Sequence, residues 1–325
     1  MSLRRLLAAT ALIALAPAAP AESLSLSLIF AGDVMLDDGP GRVVADGRDP
    51  LAAVAPLLAG ADYRIANLEC PVATTGSPLD NKIYSFRAHP RVLSVLQGRF
   101  DAVSLANNHS GDYGQAAFAE TMALLDGAGI RRFGGGRNLV EAHAPLWIER
   151  KGLRIAVLGY NEFKPRVFEA GADHPGIAWS EDSHVIADIR AARKAGADLV
   201  IPFMHWGWER EPKPSARQRA LARRMIDAGA AAVVGGHPHV TQGAELYRGR
   251  PIVYSLGNFV FDGFDELPAG RVGWLLRLEL DRRGVAAWRT FEARMDGEGV
   301  PSPATGAVTP CGRRGDRVVG ACRNP

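Results

Sequence analysis

The chain has 325 residues, of which 47% are hydrophobic and 22% charged, and its formal net charge is +3 at pH 7. These values exclude a disordered, collagen-like or coiled-coil protein, and the near balance of charge argues against a nucleic-acid binder, which needs a strong basic excess. Three cysteines are too few for a disulfide scaffold or a thiolate zinc cluster.

The first 21 residues have the pattern of a secretory signal peptide. Arg4 and Arg5 give the positive start, residues 6–16 are almost entirely apolar, and residues 19–21 (Ala-Pro-Ala) supply the small residues that precede a cleavage site. The apolar stretch is about half of the ~20 residues that a membrane-spanning helix needs, which favours cleavage over an uncleaved anchor. The sequence therefore predicts export to the periplasm or the cell exterior.

The rest of the chain alternates predicted strands and helices with short connections. Strands are predicted at residues 24–31, 63–66, 102–106, 153–159, 199–204 and 231–234, and helices at residues 50–59, 90–97, 115–128, 181–195 and 216–228. This alternation is typical of a layered α/β fold with a largely parallel sheet. Further strands are predicted at residues 241–247, 252–256, 272–280 and 285–293. We expect these to be antiparallel strands that complete a second sheet, which predicts a two-sheet α/β sandwich of mixed strands.

Residues 22–295 contain no repeat or linker, and we predict one domain. Residues 296–325 are rich in Gly and Pro and are predicted to be a loosely ordered tail. Cys311 and Cys322 could close a small loop in this tail or remain free thiols, whereas Cys70 is predicted to be a small buried hydrophobe.

Polar side chains of metal-ligand type follow five of the predicted strands. They are Asp33, then Asn67 and Glu69, then Asn107, Asn108 and His109, then His205, and finally His237 and His239. In open α/β sheets ligands bind at the carboxyl ends of the strands, so five clusters in phase predict one shared site. Oxygen and nitrogen donors without sulfur suit Mn, Fe or Zn in a hydrolytic site better than a structural zinc site.

Six motifs follow one another in this region. They are Gly32-Asp33-Val34-Met35-Leu36, Asn67-Leu68-Glu69, Ala106-Asn107-Asn108-His109, Met204-His205-Trp206-Gly207, Gly236-His237-Pro238-His239 and Tyr254-Ser255-Leu256-Gly257-Asn258-Phe259. Together they resemble the CapA family of capsule-synthesis, poly-γ-glutamate biosynthesis proteins, over residues 29–262. That family is similar to the calcineurin-like metallophosphoesterases, so the resemblance implies a two-sheet sandwich with a dinuclear metal site.

The resemblance implies a first set of metal ligands. Asp33 matches the first aspartate of the phosphoesterase pattern. Asn67 or Glu69 falls where the metal-bridging aspartate lies, and Glu69 is the better anionic bridge. His239 would join Asp33 and Glu69 on one metal. Met35 stands where the pattern has a further histidine, so this metal is one ligand short.

The resemblance also implies the second metal and a proton donor. Asn108 matches the asparagine ligand, and His205 and His237 would complete the shell of the other metal, so one or two divalent ions are implied. His109 matches the histidine that orients substrate or protonates the leaving group.

Four further residues are candidates for substrate binding. Lys82 and Arg87 lie in a segment that resembles a family motif and could hold an anionic polymer or phosphate, or could belong to a solvated loop. Glu162 follows another strand and is a candidate for the same cleft. Trp206, with Trp208, flanks a predicted ligand and would form an aromatic wall of the pocket or part of the core.

Two smaller features complete the sequence-based predictions. Asn258 and Asp262 are predicted to support the metal ligands from behind. Four arginines crowd one predicted helix and form either a solvated face or a docking surface for an acidic polymer: Arg217, Arg219, Arg223 and Arg224.

Two functions remain open at this point. The first is an exported metal-dependent hydrolase that acts on an anionic polymer, such as poly-γ-glutamate, or on a phosphoester; Asp33 and His109 would carry its chemistry. The second is a non-catalytic component of capsule synthesis or export, which binds polymer or partner subunits, and Met35 favours it. We favour the enzyme.

Overall fold

The computed structural model describes residues 25–164 and 166–325. The predicted signal peptide, residues 1–21, lies outside the described residues. In the part of the chain that is described, no helix is both long enough and apolar enough to cross a membrane.

The strands are β1 (Leu26–Val34), β2 (Tyr63–Leu68), β3 (Ala102–Ser104), β4 (Arg131–Phe133), β5 (Gly135–Gly136), β6 (Leu146–Arg150), β7 (Leu153–Asn161), β8 (Gly176–Ile177), β9 (Leu199–His205), β10 (Val233–Gly236), β11 (Thr241–Tyr247), β12 (Arg250–Leu256), β13 (Asn258–Val260), β14 (Val272–Asp281), β15 (Gly284–Met295), β16 (Pro301–Pro303), β17 (Val308–Arg313) and β18 (Gly320–Arg323). The helices are α1 (Asp38–Ala45), α2 (Ala55–Leu58), α3 (Leu93–Leu96), α4 (Gly114–Gly127), α5 (Leu139–Ala142), α6 (Asp182–Lys194) and α7 (Ala216–Ala228). Short 3₁₀ helices cover Pro90–Val92, Arg166–Phe168 and Pro268–Arg271.

Two large sheets form the body of the molecule. The first has the strand order β18-β17-β15-β14-β1-β2-β3-β4, with β13 beside β1 and β16 beside β15. Its strands β1 to β4 and β13 are parallel, and β14 to β18 add antiparallel neighbours. The second has the order β11-β12-β10-β9-β7-β6, with a parallel centre and an antiparallel strand at each edge. The predicted two-sheet α/β sandwich of mixed strands is confirmed.

The main core lies between the two sheets. Phe30 of the first sheet meets Phe203 of the second edge-on, with ring centroids 5.5 Å apart, among buried aliphatic side chains from both sheets. A second apolar cluster covers the outer face of the first sheet and includes residues of α4. A third packs α6 and α7 on the second sheet. The layers are therefore helix, sheet, sheet and helix, as expected when each sheet must bury both faces.

The late strands are distributed differently from the prediction. β11 and β12 do join the second sheet, but β14 and β15 extend the first sheet through β1. A physical reason is that β1 is buried along its whole length and needs a hydrogen-bonding partner on each side.

The C-terminal tail is also more ordered than predicted. β16 and β17 both pair with β15, and β18 pairs with β17. A disulfide joins Cys311 on β17 to Cys322 on β18, while Cys70 is a free, buried cysteine as predicted. Main-chain pairing with a strand of the body orders this Gly- and Pro-rich segment, which has little apolar surface of its own to bury.

Candidate metal centre

The predicted ligands come from both sheets and meet at one end of the sandwich. Asp33 of β1 lies opposite Asn67 of β2 and Asn258 of β13, and His205 of β9 lies opposite Gly236 of β10. All of these strands are parallel, so their carboxyl ends point the same way. The structure brings together all seven residues that were predicted as metal ligands, and all are buried.

Glu69 lies at the middle of the cluster. Its Oε1 is 3.4 Å from Nε2 of His205 and 3.8 Å from Nε2 of His239. Two groups of donors share it, one with His205 and His237 and one with Asp33 and His239, and in each group the donor atoms lie within 4.8 Å of one another. This is the geometry of two adjacent cation positions with a bridging carboxylate.

The unpaired donors fit divalent cations. Oε1 of Glu69 and Nε2 of His237 are buried and have no hydrogen-bond partner among the described residues. Burial raises the pKa of Glu69 to about 7, and burial together with the charge of Glu69 raises the pKa of Asp33 to about 7. Burial lowers the pKa of His205 to about 4, so this imidazole is neutral at pH 7. Two buried carboxylates beside neutral imidazoles form a donor set that a divalent cation would satisfy.

Asn67 is held with its amide N–H groups toward the carboxylates. Asn107 accepts the backbone N–H of His109 at 3.0 Å and donates to the carbonyl of Leu68 at 2.8 Å, which fixes its amide orientation. It also donates to Oδ1 of Asn67 at 3.0 Å. Nδ2 of Asn67 then lies 2.8 Å from Asp33 Oδ1 and 3.2 Å from Glu69 Oε2. Because an amide N–H cannot bind a cation, Asn67 orients the two carboxylates instead of supplying a ligand oxygen, which departs from the sequence-based prediction.

Asn108, His205 and His237 converge on one position. Nε2 of His205 lies 2.7 Å from Oδ1 of Asn108 and 3.1 Å from Nδ1 of His237. Together with Oε1 of Glu69, these atoms form one compact donor group. This is the set that the sequence predicted for one of the two metals.

His239 is oriented by Asn258. Nδ2 of Asn258 donates to the carbonyl of Gly270 at 2.8 Å, so its Oδ1 faces Nδ1 of His239 at 2.9 Å. Nδ1 of His239 therefore carries the proton, and its Nε2 keeps a lone pair toward Glu69. Asp262, which was predicted to act alongside Asn258, instead accepts the backbone N–H of Gly39 at 2.7 Å.

The loop that carries His237 and His239 has an unusual backbone. Both histidines have positive φ, 95° and 56°, a region that non-glycine residues rarely adopt and that concentrates at functional sites. The preceding Gly236 has no room for a side chain, because a Cβ there would lie 2.9 Å from Oδ1 of Asp33. The sequence motif thus reflects a close backbone approach to the carboxylate.

His109 is paired with a carboxylate that the sequence analysis missed. Its Nδ1 lies 2.7 Å from Oδ2 of Asp112, which is fully buried. Burial lowers the pKa of His109, and Asp112 opposes that effect. The signal was available, because a carboxylate three residues after a site histidine can reach it within one turn.

Lys82 is bound to this same pair. It forms an ion pair with Asp112 and donates to the carbonyl of Asn108 at 2.7 Å. Its charge is therefore balanced inside the protein, and it is not the free substrate-binding cation that was predicted.

The other predicted substrate contacts also have internal partners. Arg87 donates to the carbonyls of Thr75 and Gly76, both at 3.1 Å, and so stabilises its own loop. Glu162 forms an ion pair with Arg217 at 3.0 Å. These two side chains are committed to protein contacts because each lies beside a partner that is distant in sequence.

The prediction that Trp206 lines the pocket is wrong. Its side chain is fully buried, and its indole N–H donates to the carbonyl of Tyr254 at 2.9 Å. The aromatic surface beside the centre comes from Phe163, whose ring stacks on His237 at 3.9 Å, and from the exposed Trp208 next to it.

The arginines of α7 are paired with acidic side chains. Arg217 and Arg224 contact Asp182, and Arg219 and Arg223 contact Glu245. This helix face is a solvated ion-pair surface, and the alternative of a docking surface loses its uncompensated charge.

Comparison with known proteins identifies relatives of the chain. The family model described as "Bacterial capsule synthesis protein PGA_cap" matches residues 27–263. The chain is 33% identical to "Capsule biosynthesis protein CapA" of Bacillus anthracis, over 91% of this chain and 73% of that protein. It is 35% identical to "PGA biosynthesis protein CapA" of Bacillus subtilis (strain 168), over 73% of this chain and 63% of that protein.

Solved structures with a similar fold include a hypothetical protein from Thermus thermophilus, with a TM-score of 0.45 and 21% identity over 92% of this chain and 100% of that one. A putative 5'-nucleotidase from Staphylococcus aureus has a TM-score of 0.46 and 12% identity over 89% of this chain and 55% of that one.

Proposed function

The chain belongs to the bacterial capsule synthesis family PGA_cap, and from this premise we propose that it is an exported, metal-dependent hydrolase. Its substrate would be an anionic polymer such as poly-γ-glutamate, or a phosphoester, and it would work beside other subunits of capsule synthesis or export. The chain spans less than two thirds of the Bacillus subtilis relative, so this activity is proposed for the chain itself and is not carried over from that protein.

The observation that carries the proposal is the pair of donor groups that share Glu69. Asp33, Glu69 and His239 would hold one divalent ion, and Glu69, Asn108, His205 and His237 would hold the other. Mn, Fe or Zn each suits this set of oxygen and nitrogen donors. When bound, such ions lower the pKa of water and polarise the oxygen under attack.

The residues around the ions would handle the proton and the substrate. Asp112 fixes the proton of His109 on Nδ1, so that Nε2 is the atom that exchanges a proton with a leaving oxygen when the ring is charged. The cationic centre would attract phosphate or carboxylate groups, and Phe163 with Trp208 would bound the substrate on the side of His237.

Metal content and turnover test the proposal together. The purified protein should hold about two ions per chain after reconstitution with Mn, Fe or Zn, and His237→Ala should lose at least one of them. His184→Ala removes an exposed histidine outside the centre and should change nothing. Hydrolysis of bis(p-nitrophenyl) phosphate, or shortening of poly-γ-glutamate, should follow metal content across the three proteins. Metal-free protein after reconstitution, or turnover that persists without metal, would overturn it.

A non-catalytic polymer-binding role is the second candidate, and Met35 favours it. This side chain is fully buried in the core and provides no nitrogen donor beside Asp33. Binding of poly-γ-glutamate that survives removal of metal, in a protein that hydrolyses neither probe with metal present, would select this candidate.

A further inference from the structure

A concave groove lies at the end of the molecule opposite the metal centre. It has a volume of about 350 Å³, and six arginines line it: Arg193, Arg248, Arg250, Arg282, Arg283 and Arg314. We refer to these six residues as the arginine groove. β9 begins at Leu199, which lines the groove, and ends at His205 in the metal centre. At about 3.3 Å per residue, the two sites are about 20 Å apart.

The groove carries an excess of positive charge. Among the described residues, three aspartates line it or pair with its arginines, and they are Asp198, Asp227 and Asp281. Six guanidinium groups against three carboxylates leave three uncompensated charges, equal to the formal net charge of the whole chain, +3. A nearly neutral protein has therefore concentrated its positive charge in one concavity.

Main-chain carbonyls hold two of these arginines in place. Arg250 donates to the carbonyls of Ile226 and Ala230, at 3.0 and 2.8 Å. Arg193 donates to the carbonyl of Ala197 at 2.6 Å and also to that of Asp198. Carbonyl oxygens orient a guanidinium without cancelling its charge, so these side chains are ordered in advance for an anion.

The groove already receives one carboxylate with the geometry that arginine prefers. Asp281 accepts two hydrogen bonds from Arg314, at 2.9 and 2.6 Å. Such bidentate pairs are the strong form of the arginine–carboxylate contact. By contrast, the arginines of α7 are each paired with Glu245 or an aspartate and form no concavity.

We infer that the arginine groove binds an acidic polypeptide through its carboxylates, at a site separate from the metal centre. Several carboxylates in one chain would match guanidinium groups that come from four separate segments of the fold, and the family is one of capsule synthesis with relatives named for polyglutamine or PGA synthesis. The groove shares no residue with the metal centre, so the inference stands or falls independently of hydrolysis.

Binding of fluorescent poly-L-glutamate to the full chain tests this inference, with a chelator present so that the metal centre is empty. The variant R248Q/R282Q/R283Q removes three exposed arginines of the groove. The matched control R219Q/R223Q/R224Q removes three charges from α7. At up to about 1 kcal/mol for each exposed charge pair, the groove variant should bind about tenfold more weakly and the control within about twofold of wild type. Equal melting temperatures would show that all three proteins are folded.

Several outcomes would overturn the inference. They are equal weakening in both variants, absence of binding by wild type, and loss of binding on chelation. A groove variant that binds poly-L-glutamate normally but loses binding to phosphatidylglycerol vesicles would identify an anionic lipid site instead. Normal groove binding in a protein without hydrolytic activity would leave this inference intact while the proposed function fails.

Discussion

Oδ2 of Asp112 lies 2.7 Å from Nδ1 of His109, and both side chains are buried beside the metal centre. The contact decides which ring nitrogen carries the permanent proton and therefore which one is left to act on a substrate. It also ties the helix-preceding turn of His109 to the loop of Lys82, whose ammonium group pairs with the same carboxylate.

His109→Asn should lower kcat by about 10²- to 10⁴-fold without changing metal content, because it removes the general acid. The loss should be greater for phenyl phosphate than for p-nitrophenyl phosphate, whose leaving group needs less help from an acid. Asp112→Asn should lower kcat in the same direction. Asp80→Asn, an exposed carboxylate of the neighbouring loop, serves as the control. An equal loss on both esters would show that His109 is not the acid.

The neighbouring tryptophans Trp206 and Trp208 should respond oppositely to substitution. Trp206→Phe removes a buried hydrogen bond to Tyr254 and leaves a gap in the core, so it should cost about 1–3 kcal/mol of unfolding free energy. Trp208 is 67% exposed, so Trp208→Phe should stay within about 0.5 kcal/mol of wild type. Urea unfolding midpoints measure both. Equal stability of the two variants would contradict the burial of Trp206.

Glu120 should make stability depend on acid pH. Its carboxylate accepts hydrogen bonds from the side chains and backbone N–H groups of Thr74 and Thr75, and the Thr75 hydroxyl is the first cause that lowers its pKa to about 2. The folded pKa lies below the ordinary value of 4.5. Its stabilisation is therefore fully present above pH 4.5 and lost as the pH falls from 4.5 to 2.

Melting temperatures across this range measure the effect. Glu120→Gln should melt below wild type at pH 6, and the difference should shrink as the pH falls toward 2. Glu149→Gln, an exposed carboxylate with one ion pair, should show no such trend. A constant difference between wild type and Glu120→Gln at all pH values would refute the linkage.

The disulfide between Cys311 and Cys322 should stabilise the C-terminal strands. The cysteines are 11 residues apart, and closing a loop of this size contributes about 2–3 kcal/mol. The double variant C311S/C322S should melt at a lower temperature, and reducing agent should lower wild type to the same value. Cys70→Ala should keep its sensitivity to reducing agent. Metal content should be unchanged in every case, because these strands lie away from the centre.

The order of elements and the family could be predicted from the sequence. Both the alternation of strands and helices and the in-phase polar clusters are local signals, since they depend on periodicity and on the position of a residue relative to a strand end. Family membership is confirmed, and six of the predicted ligands lie together as donors: Asp33, Glu69, Asn108, His205, His237 and His239. Short or polar strands such as β4 and β6 were missed because they have too few apolar residues to give a period.

What only the tertiary structure decided is which distant side chains meet. Asn67 presents its amide N–H because Asn107, 40 residues away, occupies its oxygen. Lys82 is neutralised by Asp112 and Glu162 by Arg217, and these partners are 30 and 55 residues apart. Trp206 and Trp208 differ only by which side of the chain faces the core. A sequence determines local conformation through nearby residues, whereas charge balance, amide orientation and burial depend on contacts that exist only after the two sheets have packed.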